Sequence, residues 1–346
     1  MPQPVRMGVI GAGSFTRSRL LPNLLKLPDV RVVAVANRTA ESARRAATEF
    51  GIQDALDDWR DVLTRDDVDA VLIGTQPYFH HQAVLNAFEA GKHVLCQTRM
   101  ATSLRDAREM LRKQRETGLK ALLVRSGNYL KGHRFVHHLL EAGYVGEVRQ
   151  VFAYYLVGNY ADSLAPLHRR QDSRNFGVIN PMALGIYWDV LQPWFGDPAR
   201  LFAHGPVFNA ERDDPVWGQR ITIDMPDAIT VIAQMPSGPV ITVIQSAVAL
   251  FGDERIEIYG EEGTIIYRNG ADELLAAKKG DKALSPLPIP DRMRLEWSVE
   301  KDFVGMVRGE APQAFPGFED GVKNVEFLEA AHRSAREGRW VDLPIV

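Results

Sequence analysis

Apolar residues fall along this chain in two textures. Up to about Leu123, short unbroken apolar runs of strand length alternate with longer stretches of helical period. The runs predict strands at Arg6–Ile10, Val30–Ala36, Asp69–Gly74, Lys92–Cys96 and Ala121–Val124. Between them the period predicts helices over Arg17–Lys26, Ala40–Phe50, Asp58–Leu63, His81–Ala90 and Ser103–Thr117, with Gly51 and Gly91 as stops. Strands without polar alternation are covered on both faces, and strict strand–helix alternation makes a parallel sheet flanked by helices.

Beyond Leu123 the texture changes. Strand patterns recur at Val148–Val157, Arg220–Ile223, Ala228–Gln234, Val240–Ser246, Glu254–Tyr259 and Gly263–Tyr267, separated by Gly and Pro turns with few helices between. Helices are expected at Asn180–Gln192 and at Asp320–Glu337, the latter stopped by Gly338. Pro286–Pro290 reads as a surface connection. The fold class is α/β: an N-terminal domain with a parallel sheet over residues 1–123, followed by an α+β domain with a largely antiparallel sheet over residues 124–346. The tail helix is a candidate to pack back on the first domain.

At 346 residues the chain has room for two cores of ordinary size. Its 45% hydrophobic and 25% charged residues describe a common globular protein, and a net charge of -3 gives no footprint for nucleic acid. No apolar run reaches membrane-spanning length, and the N-terminal residues lack a signal-peptide pattern. The single cysteine, Cys96, ends an apolar strand and reads as a core thiol. These features lead us to expect a cytoplasmic protein without a nucleic-acid or membrane partner.

The chemistry begins at the first strand-to-helix corner, Gly11-Ala12-Gly13-Ser14-Phe15-Thr16. Such a corner aims backbone N–H groups and a helix N-terminus at one spot where a pyrophosphate can sit. Gly11 supplies the tight turn and Gly13 permits close approach. Thr16 takes the third, usually small, position, so a slightly looser helix–strand contact is expected. The second strand ends in Asn37-Arg38-Thr39, with no carboxylate to accept from a ribose 2′-OH. Asn37 does not repel a 2′-phosphate and Arg38 could pair with one, so NADP is favoured, with NAD as the alternative. The competing reading is that Thr39 caps the next helix and Arg38 is simply solvated.

With these residues stand Asp69-Ala70-Val71-Leu72-Ile73-Gly74-Thr75, Ala90-Gly91-Lys92-His93-Val94-Leu95-Cys96, Gly143–Val148, Glu257–Thr264 and Ala330–Arg339. Jointly they resemble the Gfo/Idh/MocA family of NAD(P)-dependent oxidoreductases over nearly the whole chain. The resemblance implies a Rossmann domain followed by a sheet domain whose open face mediates homo-dimers or homo-tetramers. It also implies a sugar-like, polyol or carbonyl substrate. In the family a Glu-Lys-Pro motif follows the fifth strand, its lysine beside substrate and nicotinamide. Here those positions are Gln97, Thr98 and Arg99. A threonine cannot exchange a proton near neutrality. Gln97 could still bond the cofactor, and Arg99 could clamp an anion or stabilise an oxyanion; alternatively Arg99 pairs with a local acid.

The family's Asp-x-Gly-x-His/Tyr pattern appears as Ala183-Leu184-Gly185-Ile186-Tyr187, which puts Tyr187 at the general-acid position and loses the aspartate. A tyrosine needs a cation or strong hydrogen bond to release its proton, and His168, Arg169 and Arg170 just upstream are the suspects. A plain core tyrosine is the competing reading. Thr75, Gln76, Pro77 and His80 resemble the family's loop beside the nicotinamide ribose, although His80 could instead cap the following helix. His133, His137 and His138 cluster near Lys131 without a carboxylate at ligand spacing, so a solvated helix face is expected and no metal. The leading expectation is hydride transfer with NADP, with Tyr187, Thr98, Arg99 and His168 at the chemistry and Arg99, Arg170 and Tyr187 on substrate. A cofactor-holding lyase, hydrolase or isomerase, or a non-catalytic ligand-binding relative, are the alternatives.

Overall fold

The computed structural model describes residues 3–124, 130–173, 184–312, 314 and 316–346. Its first sheet contains β1 (Val5–Ile10), β2 (Val30–Ala36), β3 (Asp54–Leu56), β4 (Ala70–Ile73), β5 (His93–Gln97) and β6 (Ala121–Val124). The order is β3-β2-β1-β4-β5-β6 and every pairing is parallel. Every residue of β4 and β6 is buried, as in a sheet covered on both faces. The crossovers are α1 (Leu21–Leu24), α2 (Ala40–Phe50), α3 (Trp59–Leu63), α4 (Pro77–Glu89) and α5 (Leu104–Thr117). Their boundaries follow local chemistry. Side-chain oxygens of Thr39, Asp58 and Ser103 accept from the first free amides of α2, α3 and α5, and left-handed Gly51 and Gly118 end α2 and α5.

Two helices differ from the expected ones. The first is not one helix over Arg17–Lys26 but a π turn, Thr16–Leu20, running into α1. Pro22, without an N–H to give the Ser18 carbonyl, interrupts the regular ladder there. The fourth starts at Pro77, four residues before the expected His81, because proline's fixed φ suits the first helical position.

In the second part lie α6 (His133–Glu141), β7 (Val148–Leu156), α7 (Leu184–Phe195), β8 (Arg200–His204), β9 (Glu211–Asp214) and β10 (Gln219–Thr222). They are followed by β11 (Ala228–Gln234), β12 (Val240–Ser246), β13 (Glu254–Gly260), β14 (Gly263–Arg268), β15 (Glu273–Lys278) and β16 (Ser285–Pro286). The chain ends with α8 (Val299–Val307), α9 (Phe318–Glu337) and β17 (Val341–Asp342). Nine strands join as β16-β15-β14-β13-β7-β12-β11-β8-β17. Only β7 with β12 is parallel. Pro286, expected to open the Pro286–Pro290 surface connection, instead joins Ser285 in an edge strand on β15, a position proline tolerates.

The chain divides into two compact units, Met1–Ser126 with Ser298–Val325, and Gly127–Trp297 with Glu326–Val346. The boundary expected after residue 123 therefore misses a returning segment. Within the first unit the Leu123 N–H donates to the Pro316 carbonyl at 2.9 Å, and the Phe88 and Phe318 rings meet edge-on at 5.9 Å. Within the second, Trp188 of α7 stacks flat on Phe327 at 3.9 Å. Among the described residues no helix is long and apolar enough to cross a membrane.

Candidate nucleotide and substrate sites

Strand order reverses between β1 and β4, so the crevice over their carboxyl ends is where a dinucleotide fits in such a sheet. Gly11 sits there with φ at 88°, and a Cβ on it would come within 2.6 Å of Thr75 Cγ2. Only glycine serves. At Gly13 a Cβ would meet nothing closer than the Gly74 carbonyl at 3.6 Å, so its smallness matters only to an incoming ligand. The Gly13 and Ser14 amides are exposed and have no acceptor among the described residues. Phe15 follows half-buried, its carbonyl accepting from Ser18 Oγ at 3.4 Å.

Two expectations at this corner are corrected. The Ala12 N–H is not offered outward: it donates to Asn37 Oδ1 at 2.7 Å, while Asn37 Nδ2 donates to the Ser42 carbonyl at 3.0 Å. Asn37 is a brace between β1 and the start of α2. Nor is the contact at Thr16 loose. Thr16 is fully buried, and a Cβ on Gly74 would lie 2.2 Å from its Oγ1 and 2.5 Å from the Gly11 carbonyl. The missing atom that permits close packing is on β4's exit, not on the helix.

Arg38 is exposed and bonds to no described residue, while Thr39 caps α2. The nearest acid in sequence, Glu41, faces Arg45 at 3.7 Å.

The second corner gathers the exits of β4 and β5. His80, on the first turns of α4, is wholly buried with both ring nitrogens against backbone carbonyls, and it does not cap the helix. Its Nδ1–H donates to the Arg99 carbonyl at 2.7 Å and Nε2 lies 3.1 Å from the Thr75 carbonyl, which ties the two loops together. Burial outweighs those carbonyls and holds the imidazole below its usual pKa. The hydroxyls of Thr75 and Thr98 are buried without partners, and the Gln97 amide has none among the described residues. Gln76 and Pro77 open α4, and Arg99 is half-buried on a loop whose Thr98–Arg99 peptide is cis. Open amides at Gly13 and Ser14 with orphaned hydroxyls at Thr75 and Thr98 fit a dinucleotide laid across the strand ends. Cys96 is buried and its thiol is pushed up by burial, which leaves it inert.

In the second unit, Tyr187 of α7 is only 2% exposed. Its hydroxyl donates to Glu254 Oε2 at 3.0 Å and accepts from Asn269 Nδ2 at 3.2 Å. Burial and then the Glu254 charge drive its pKa far up. A proton donor needed a cation here and found an anion, so the core-tyrosine reading fits the surroundings. Ala183 and Asn180 lie outside the described residues, as does the side chain of Arg169. His168 caps the short turn Arg169–Gln171: its Nδ1 accepts the Arg170 N–H at 3.2 Å, and its own N–H donates to Gln171 Oε1 at 3.2 Å. Tyr160 Oη stands 3.4 Å from the same Nδ1. His168 and Arg170 do share a cavity, of 590 Å³, but its other polar walls, Asn159, Tyr160, Gln171 and Arg212, were not foreseen. Arg212 lies among Glu211, Asp213 and Asp214 and reads as a solvated charge run. No polar–apolar alternation in the sequence marks it; only the folded β9, buried at Arg212 and Asp214, turns Arg212 inward.

His133, expected on a solvated face, is buried: it stacks on Trp194 at 4.8 Å with Nε2 3.0 Å from the Val190 carbonyl. His137 faces Glu141 at 3.9 Å.

Comparison with known proteins bears on both units. Residues 5–125 match the profile of an oxidoreductase family with an NAD-binding Rossmann fold, and residues 133–266 that of the GFO/IDH/MocA C-terminal domain. An uncharacterized oxidoreductase of Rhizobium meliloti is 25% identical over 97% of this chain and 98% of its own length. The dTDP-3,4-didehydro-2,6-dideoxy-alpha-D-glucose 3-reductase of Saccharopolyspora spinosa is 36% identical, over 44% of this chain and 46% of its own. A solved levoglucosan dehydrogenase, in complex with NADH and L-sorbose, shares the fold with a TM-score of 0.85 over 100% of both chains at 22% identity. The nucleotide corner, the two sheets and both matched profiles place this chain in the GFO/IDH/MocA family of nicotinamide-dependent oxidoreductases.

Proposed function

We propose that the protein moves hydride between NADP and a small sugar-like, polyol or carbonyl substrate. One observation carries the cofactor choice: β2 ends in uncharged Asn37 and an unpaired, exposed Arg38, with no carboxylate to repel a 2′-phosphate. The sugar-like substrate is supported by the activities of relatives, a levoglucosan dehydrogenase and a dTDP-sugar reductase.

The nicotinamide, when bound, supplies the hydride chemistry. The chain supplies position and charge. Gly13 and Ser14 amides hold the pyrophosphate, and Arg38 the 2′-phosphate. Thr75, Gln97 and Thr98 offer hydrogen bonds along the nicotinamide half, and Arg99 stabilises negative charge on the reacting oxygen. Tyr187 keeps its proton, so proton transfer is assigned to His168, whose side-chain type suits it. The nine-stranded sheet buries one face, while Phe152, Tyr154, Ile232, Ile244 and Ile266 on the other remain half-exposed. That face supports assembly as a homo-dimer or homo-tetramer.

Thermal melting with NADP, NAD and their reduced forms tests the reading, since a ligand at about 100 times its Kd adds about 2.7 kcal/mol to the folded state. NADP should raise Tm more than NAD, and Arg38→Asp should reverse the order. No shift with any nicotinamide nucleotide, or unchanged selectivity in the variant, refutes it.

A further inference from the structure

The cavity that holds His168 is walled by positive charge and by hydrogen-bond donors. Arg212 is its deepest member, 2% exposed. Its Nη1 donates to the carbonyls of Asp162 and Ala165 at 2.7 and 2.8 Å, and its Nη2 to that of Tyr160 at 2.7 Å. All three acceptors are neutral, and the buried Nε–H has none. A guanidinium removed from water without a bonded carboxylate is costly. Gln171, 3% exposed, is pinned through Oε1 by the His168 N–H, which leaves its buried Nε2 without an acceptor. Arg170, exposed at the rim, pairs with no described acid, and its charge counters the upward push of burial on the Tyr155 and Tyr160 hydroxyls. Among the described residues no Asp or Glu borders the cavity. The carboxylate felt at Tyr160 is Asp227, whose Oδ2 accepts the Phe208 and Asn209 amides at 2.8 Å each.

We infer that this cavity binds the anionic group, carboxylate or phosphoryl, of an acidic polyol. Arg170, Gln171 Nε2 and Arg212 Nε–H face the anion, and Tyr160 and Asn159 take hydroxyls. Two orphaned donors and an unpaired cation around one void are what a multi-acceptor anion satisfies, and a neutral sugar leaves the charge unanswered. The inference rests on the oxidoreductase reading above and adds a substrate class to it: sugar acids or sugar phosphates in preference to neutral sugars.

Calorimetric titration of the full chain with D-glucuronate, D-glucose 6-phosphate, inorganic phosphate and D-glucose, each with and without NADP, tests it. The acidic sugars should bind and glucose should not. Arg170→Gln should weaken acid binding by about tenfold or more, with Arg170→Lys retaining most of it, and neither should alter NADP affinity. The stronger of glucuronate and glucose 6-phosphate identifies carboxylate or phosphoryl. Inorganic phosphate binding as tightly as either sugar would mark an adventitious ion only and overturn the inference. So would absence of binding by both acids, or equal affinity in Arg170→Gln. NADP titration is a separate readout: acids that bind while NADP does not would sink the oxidoreductase reading and spare the cavity.

Discussion

Gly74→Ala probes the close approach on which the nucleotide corner depends. The new Cβ would stand 2.2 Å from Thr16 Oγ1 and 2.5 Å from the Gly11 carbonyl, both far inside van der Waals contact. Thr16 is fully buried and cannot swing out, and the Gly11 oxygen is backbone in a turn that already needs φ at 88°. Relief therefore requires β1 and β4 to separate, so the cost belongs at the upper end of the usual overpacking range, about 3 kcal/mol. For a domain of this size each kcal/mol moves Tm by roughly 2–4 °C, so a fall of about 6–12 °C is expected. NADP affinity should fall with it, because Gly11 forms the turn below the phosphates. Thr16→Ala alone removes an orphaned buried hydroxyl and should cost little. Combined with Gly74→Ala it removes one of the two clashes, so the pair should recover part of the loss, with a coupling of about 0.5–3 kcal/mol. Differential scanning calorimetry of the four proteins, with NADP titrations, measures this cycle. A Gly74→Ala protein with the parent's Tm and NADP affinity would refute the packing argument.

Tyr187→Phe leaves Glu254 Oε2 and Asn269 Nδ2 without their partner, so stability should drop by about 1–3 kcal/mol while kcat is kept; lost turnover at unchanged Tm would restore Tyr187 as the proton donor. Asn37→Ala strands the Ala12 amide and should lower both Tm and nucleotide affinity, whereas Asn37→Asp keeps that bond and should move preference toward NAD; titrations of both nucleotides decide. Burial holds the imidazoles of His80, His93 and His332 below their usual pKa, so below about pH 6.5 the unfolded chain takes up protons that the folded one refuses. Stability should therefore fall as pH drops from there, and His80→Gln should flatten the decline; melting curves with no such slope would contradict the assignment.

Period and punctuation decide elements whose stability is local. The apolar runs marked five of the six parallel strands, and Thr39, Ser103 and Gly51 marked helix ends, because each acts on amides or dihedrals within a few residues. β3, three residues long, had too few positions to show a period. The Gly-x-Gly corner was legible for the same reason: a strand, a turn and a helix suffice to define it. Even Pro77 was visible as a residue, though only its place at a helix start explains why His80 lies on α4.

What no local pattern could supply is whether a polar side chain is already engaged. Asn37 has the same letters beside it whether its amide meets a ligand or the Ala12 N–H, and only the approach of β1 to β2 commits it. Glu254 lies 67 residues from Tyr187, yet it fixes where the tyrosine's proton rests. Arg212 looks like one more solvated charge until β9 turns it inward toward three carbonyls of the segment after β7. The chain's order of residues determined its strands, its caps and its nucleotide-binding turn, since those obey short-range sterics and hydrogen bonding. The protonation and availability of its functional groups were decided by the tertiary structure, because desolvation and charge depend on neighbours that folding alone brings near.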